Sequence, residues 1–88
     1  MLPLNYAVLK YFISHKEGDS DSVMAELSPI YGKFRAFKKS SIIESLMTAK
    51  ENGLLDETKV ELKEKDNLKV FYKANDYGFS MIKNYIKG

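Results

Sequence analysis

Cysteine and tryptophan are absent from this 88-residue chain, which also has only two prolines, one histidine and one arginine. Without cysteine there is no disulfide, thiolate metal site or thiol nucleophile, and the reducing cytoplasm is the simplest compartment. His15 lacks the further ligands that a metal site needs, which favours an ordinary surface role. No apolar run approaches the roughly 20 residues of a membrane span, and no basic N-terminal segment predicts export.

The length allows one domain over residues 1–88, because a second hydrophobic core would not fit. Its 44% hydrophobic and 30% charged residues are typical of a soluble globular protein. There is no glycine-rich phosphate loop and no carboxylate pair in an apolar setting, so we expect no enzymatic activity, cofactor or small-molecule substrate. Asp19 and Asp21 have the spacing of a calcium loop without its glycine and distal glutamate, and helix capping explains them better.

Positive charge is concentrated in the middle of the chain. The net charge is only +2, but residues 33–50 contain five cations and a single acid, Glu44. Arg35 is the only arginine, and the other four cations are lysines. A local basic surplus of this kind is more informative about a polyanionic partner than the total charge is.

The first half of the chain predicts three helices. Asn5 is a suitable N-cap for a helix over about 5–16. A second helix follows the capping residues 19–22, is limited to about two turns by Pro29, and is followed by a separate helical turn at 28–32. The third helix begins at Ser41, where Ser41 and Glu44 fit a capping box, or as early as Phe37, and ends at Gly53. Its apolar side is formed by Ile42, Ile43, Leu46, Ala49 and, as an open choice, Met47.

The second half predicts a β-hairpin and a last helix. Residues 58–63 and 68–73 alternate as two antiparallel strands around a charged tip, with Val60 and Leu62 directed inward. Asn75 then caps a helix whose predicted apolar face is Phe79, Ile82, Tyr85 and Ile86. The predicted class is therefore α+β: three helices, a two-stranded hairpin and a C-terminal helix.

This order of elements resembles the winged helix-turn-helix superfamily. Segment 41–55 is similar to the recognition-helix segment of PadR-like and MarR-like regulators, in which apolar residues precede a glycine by eleven, seven and four positions and two more follow it. Ile42, Leu46, Ala49, Gly53, Leu54 and Leu55 occupy those places. Phe71–Gly78 is similar to the family segment where the last wing strand ends in a capping residue, here Asn75 instead of the usual threonine. The chain departs from the pattern between Ser28 and Lys39, which is longer than a tight helix-turn-helix connection.

The resemblance implies a double-stranded DNA-binding protein, in which the third helix enters the major groove and the wing reaches the neighbouring backbone. Cations before and at the start of that helix would neutralise phosphates, and the single arginine could contact guanine in a bidentate manner. The predicted DNA-binding residues are Lys33, Arg35, Lys38, Lys39, Ser40, Ser41, Glu44, Ser45, Thr48, Lys63, Lys65, Asn67 and Lys69. Each has an alternative interpretation: a solvated loop for the cations, capping alone for Glu44, and solubility for the wing lysines.

We therefore predict sequence-specific binding of duplex DNA by a small transcriptional regulator or a DNA-binding accessory protein of a mobile element. The main alternative is a winged-helix module that binds protein instead of DNA, and a weaker one is a regulator with an aromatic ligand pocket. Surplus aromatic residues of the first and last helices could form a homodimer interface, which would present two recognition helices about 34 Å apart.

Overall fold

The structure is a computed structural model that describes residues 1–64 and 67–86. Four helices and one hairpin follow each other in the predicted order, so the α+β class is confirmed. Their bounds are α1 Leu4–Ser14, α2 Ser20–Tyr31, α3 Lys39–Glu51, β1 Leu55–Glu64, β2 Asn67–Ala74 and α4 Asp76–Tyr85.

The hydrophobic core lies between α1, α2 and α3 and is closed by the lower part of the hairpin. Its fully buried side chains include Val8, Val23, Ile42 and Leu46 from the three helices and Leu55 from β1. Tyr11, Phe12, Tyr31 and Tyr72 add four buried rings. Large rings supply much of the buried area that a small domain needs.

The helix α1 begins one residue before the predicted start, and Asn5 is not its cap. Pro3 is the N-cap, and its carbonyl accepts hydrogen bonds from the Tyr6 and Ala7 N–H groups at 3.0 Å. Proline has no N–H of its own to leave unpaired, so it is tolerated at a helix start. The prediction for Asn5 was wrong because this residue lies two positions after the N-cap, inside the first turn.

The helix α2 is one continuous element, which corrects the prediction that Pro29 ends it after two turns. Asp19 caps it as predicted: its carboxylate accepts from the Ser22 N–H at 3.2 Å and the Asp21 N–H at 3.3 Å. Pro29 lies within the last turn and removes one hydrogen bond there. Tyr31 compensates, because its ring is buried and its hydroxyl donates to the Leu2 carbonyl, holding that turn against α1.

The helix α3 begins at Lys39, two residues before the predicted capping box. The N-cap is Lys38, whose carbonyl accepts from the N–H groups of Ser41 and Ile42. Ser41 is thus inside the first turn and cannot act as the N-cap, so the capping-box assignment for Ser41 and Glu44 was wrong. The predicted end is confirmed: Gly53 has a φ of +80°, a left-handed conformation that favours glycine, and Leu55 returns to the core.

The hairpin is antiparallel as predicted, and the apolar residues near its outer end are exposed. Val60 pairs with Val70 and Leu62 with Leu68, on the face that carries buried Tyr72 lower down. Val60 and Leu62 are nevertheless 52% and 70% exposed, so their prediction as core residues was wrong. They lie on the inner face, beyond the reach of the helices.

The helix α4 packs closely onto the α3–β1 turn. Asn75 caps it as predicted, since its side chain accepts from the Gly78 N–H at 2.7 Å. A Cβ atom at Gly78 would overlap the Leu54 carbonyl, so this contact requires glycine. Ile82 is buried, whereas Phe79 and Tyr85 are exposed, which corrects the apolar face predicted for this helix.

Candidate nucleic-acid interface

The helix α3 lies with one side in the core and the rest at the surface. Ile42, Leu46 and Ala49 are buried, and they recur at the four- and three-residue spacing of a helical face. The outward surface contains exposed Ser40 and Glu44, which remain available for contacts to another molecule. This side is therefore neither packed into the protein nor covered within the chain.

The loop before α3 presents uncompensated positive charge. Lys33, Arg35 and Lys38 are exposed, and within the described residues none of them forms an ion pair. Phe37 is half-buried against the core, and the Phe34 ring packs edge-on against Tyr31 with centroids 5.3 Å apart. These two rings fix the loop, so its cations are held at the surface beside the partly positive N-terminus of α3.

The hydroxyl side of α3 faces the first turn of α1. Four predicted residues, Ser41, Glu44, Ser45 and Thr48, line a groove there together with Asn5 and Tyr6. Glu44 and Thr48 are exposed, whereas Ser41 and Ser45 are half-buried. The structure thus brings the predicted polar residues together, but only two of these four reach fully into solvent.

The opposite side of α3 faces the hairpin and contains residues that the sequence analysis did not include in the site. Ile43 is 39% exposed and Met47 51% exposed, and both line a cleft with Leu68 and Val70 of β2. The assignment of Ile43 to the buried side was wrong, and Met47, which was left open, is exposed. At 100° per residue Ile43 lies well away from the line of Ile42, Leu46 and Ala49, and this angular offset was the available signal.

A cluster of two acids and two lysines connects the hairpin to the starts of α2 and α3. Lys69 Nζ lies 3.2 Å from Asp19 Oδ2 and 3.9 Å from Asp21 Oδ2, and Lys39 Nζ lies 3.2 Å from Asp21 Oδ1. Burial alone would raise the pKa of Asp19, but hydrogen bonds from Ser22 and Lys69 outweigh it and hold that pKa below its usual range. Two of the predicted DNA-binding lysines are thus already paired within the chain.

A solved structure has the same architecture. The chain superposes with a TM-score of 0.73 on the crystal structure of Bacillus subtilis PadR in complex with operator DNA, at 20% sequence identity. The match covers 97% of this chain and 48% of the PadR chain, so the protein spans about half the length of that structure. The fold is a winged helix-turn-helix. No protein-family model and no curated protein sequence matches the chain.

The hairpin is therefore the wing of this fold. The remaining residues of the predicted site lie at or near its charged tip. Lys65 and the side chains of Lys63 and Asn67 lie outside the described part of the structure. Lys69 lies lower on the wing, in the charged cluster already described, and is only 24% exposed. Lys59 lies 4.5 Å from the centre of the Phe71 ring and pairs with Glu61 at 3.5 Å.

The wing is also attached to the third helix by an exposed ion pair at its base. Lys50 Nζ lies 2.6 Å from Glu57 Oε2, and this hydrogen bond together with the negative charge of Glu57 raises the pKa of Lys50. An exposed pair of this kind contributes little stability. It nevertheless removes one more cation from the set available to a partner molecule.

The described residues give little support to catalysis by His15, metal binding or insertion into a membrane. His15 Nε2–H donates one hydrogen bond to the Glu26 carboxylate at 2.7 Å, and its ring stacks on Tyr11, which is a surface role. Within residues 1–64 and 67–86, no group of three or more metal-binding side chains converges. In the same part of the chain, no helix combines the length and apolarity needed to cross a bilayer.

Proposed function

We propose that this chain binds double-stranded DNA as a transcriptional regulator or DNA-binding accessory protein. The observation that carries the proposal is the group of three exposed, unpaired cations, Lys33, Arg35 and Lys38, at the N-terminus of an exposed third helix. The structural similarity to PadR, whose solved structure contains operator DNA, also supports the proposal and favours DNA over the protein-binding alternative.

The arrangement suits insertion of α3 into the major groove. A winged helix places the N-terminal turns of this helix nearest the base edges, where Ser40, Glu44 and Thr48 are exposed. Lys33 and Lys38 would neutralise flanking phosphates, and Arg35 is the residue that could contact guanine O6 and N7. Glu44 could accept from a cytosine amino group.

The remaining predicted residues have smaller roles in this proposal. Ser41 and Ser45 are half-buried, which suits contacts to the sugar-phosphate backbone more than contacts to bases. Lys39 would reach a phosphate only by giving up its pairing with Asp21, and Lys69 only by giving up its pairing with Asp19 and Asp21. Lys63, Lys65 and Asn67 stay predictions for a wing-tip contact with the neighbouring backbone.

The test is binding of random-sequence and selected duplexes, measured by fluorescence anisotropy over a range of salt concentrations. We expect replacement of Lys33, Arg35 and Lys38 by alanine to weaken binding at least about tenfold at 0.1 M salt, which is about 1.4 kcal/mol. The slope of log affinity against log salt should fall by about 0.9 for each phosphate contact removed.

A charge-matched control replaces Lys16, Lys73 and Lys83 by alanine. Lys16 and Lys73 line a cleft formed by α1, β2 and α4, without any residue of α3, and Lys83 lies on α4. This variant loses the same charge and should retain affinity within about twofold, since it lacks phosphate contacts. Equal losses in the two variants would show non-specific attraction and contradict the proposed interface.

The proposal includes finer statements about the mode of action, the domain organisation, the compartment and the association of copies. The chain acts by binding alone, without catalysis or cofactor, as a single domain in the cytoplasm. Two copies associate through α1 and α4, where Tyr6, Tyr77 and Tyr85 are exposed. Analytical ultracentrifugation with and without a palindromic duplex tests the association, and a monomer throughout would reject it. Two-fold pairing would place recognition helices one DNA turn apart, about 34 Å.

A further inference from the structure

The exposed surface of α3 contains two apolar side chains that core packing does not explain. Ile43 and Met47 are separated by one helical turn on the side of α3 that faces the wing. Lys39 lies one turn before Ile43 on the same side, and the uncompensated cations of the 33–38 loop come directly before it. The two apolar residues therefore continue a basic surface along the helix.

A duplex that contacts both α3 and the wing must cover this side of the helix. The other side of α3, with Ser41 and Ser45, faces α1 and lies away from the wing. Residues four apart on a helix are separated by about 6 Å along its axis, at about 1.5 Å per residue. Base pairs rise by about 3.4 Å, so side chains at 43 and 47 would meet base pairs about two steps apart.

The apolar feature of the major groove is the C5-methyl group of thymine. We propose that Ile43 and Met47 each contact a thymine methyl group, at positions about two base pairs apart, and so set part of the sequence preference. This inference rests on the proposed function, because it requires α3 to enter the major groove. It names a pair of specificity-determining residues that differ from the polar ones predicted from sequence.

The surroundings favour DNA over a protein segment as the occupant. The cleft between Ile43, Met47 and β2 has a volume of about 140 Å³, which admits a methyl group and excludes a helix or an additional strand. From Lys33 to Ile43 the chain has four cations and no acid. Lys39 is paired with Asp21, which also lines the cleft, so the charge that complements phosphates comes from the three unpaired cations of the preceding loop.

The experiment uses the full chain and a duplex selected from random sequence. Each thymine is replaced singly by deoxyuridine, which keeps base pairing and removes only the C5-methyl group. We expect two thymines about two steps apart to show a loss of about fourfold each, the value for one buried methyl group at about 0.8 kcal/mol. All other thymines should change affinity by less than about 1.5-fold.

Variants assign the two thymines to their residues. Met47→Ala should abolish the deoxyuridine effect at one thymine and keep it at the other, and Ile43→Ala should do the reverse. Both residues are exposed, and circular dichroism and thermal unfolding check that the variants fold. Ile30→Ala is the matched control, because Ile30 is 62% exposed on α2 and should retain both effects.

The outcomes separate this inference from the proposed function. Selection of a tight duplex without any deoxyuridine-sensitive thymine overturns the inference and leaves DNA binding intact. If the deoxyuridine effect at both thymines persists in Met47→Ala and in Ile43→Ala, the inference is also overturned. The apolar surface would then be assigned to a protein partner. Failure to select any duplex rejects the proposed function, and the inference with it.

Discussion

The lower and outer halves of the wing have the same alternating sequence pattern and opposite surroundings. In the lower half Leu55 and Tyr72 are 1% and 5% exposed, and Tyr72 exchanges two backbone hydrogen bonds with Gly18 at 2.8 and 2.9 Å. In the outer half Leu62 and Leu68 are 70% and 62% exposed. Alternation indicates which face of a strand is apolar, whereas the extent of the helices beneath decides where that face is buried.

One half of the hairpin is therefore part of the core, and the other half is exposed at the surface. The lower half belongs to the core and fixes the wing to α1 and α2. The outer half exposes Leu62 and Leu68, and Leu68 lines the cleft beside Ile43 and Met47 of α3. Substitutions in the lower half should therefore change unfolding free energy, and substitutions in the outer half should change binding.

The largest expected effect is for Tyr72→Ala in the lower half. Removing a buried ring leaves a cavity beside Leu55 and should lower the unfolding free energy by roughly 3–5 kcal/mol, measured by urea denaturation. Leu62→Ala is the matched change in the outer half and should cost within about 0.5 kcal/mol. Similar costs for both would show that the outer half is packed after all.

Gly78→Ala should also be destabilising, at the base of the wing. The new methyl group would meet the Leu54 carbonyl and push α4 away from the α3–β1 turn, for a cost of roughly 1–3 kcal/mol. Ser80→Ala on the same helix is the control, since Ser80 is exposed and alanine favours helix. Unfolding followed by circular dichroism measures both, and a stable Gly78→Ala variant would contradict the close approach.

The attachment of the wing through Asp19 should depend on pH. Its pKa is lowered in the folded protein, so its stabilising contribution is complete above the unfolded value near 3.8 and is lost as the pH falls through the folded value. Urea unfolding between pH 2 and 7 should show a difference between wild type and Asp19→Asn that shrinks below about pH 4. A constant difference over this range would contradict the assignment.

The smallest expected effect is a gain in DNA affinity. Asp21 pairs with Lys39, so Asp21→Asn should free that lysine for a phosphate and strengthen binding about two- to threefold at low salt, whereas Lys69 stays paired with Asp19. The salt dependence should steepen by up to about 0.9 for the phosphate contact that Lys39 gains. Glu51→Gln changes the charge equally at an exposed position of α3 that forms no ion pair within the described residues, and it serves as the control.

Most of the architecture could be predicted from local signals. Asp19, Asn75 and Gly53 marked helix ends correctly because capping and the left-handed conformation depend on a few neighbouring residues. Pro29 misled because a tertiary contact, the hydrogen bond from Tyr31 to the Leu2 carbonyl, holds the last turn of α2, and Asn5 misled because Pro3 caps α1 two residues earlier. Local rules contain no information about such contacts.

The candidate site could be predicted only in part. The basic loop and the exposed Glu44 and Thr48 follow from composition and helical spacing. Lys69 pairs with Asp19, which is 50 residues earlier in the chain, and Met47 is exposed. Both features depend on how the hairpin packs, which no local pattern specifies. The sequence therefore predicts which helix belongs to the candidate site, and the structure shows which side chains of that helix are exposed.

The Gly18 bridge also determines how the wing sheet is protected from association. With Gly18 paired to one side of β2, and β1 to the other, β1 carries the open edge within the described residues. Charged side chains follow one another along that strand at 56, 57, 59 and 61, and such residues oppose the addition of a strand from a second molecule. Neutralising those positions should therefore increase association of the chain on concentration, measured by light scattering.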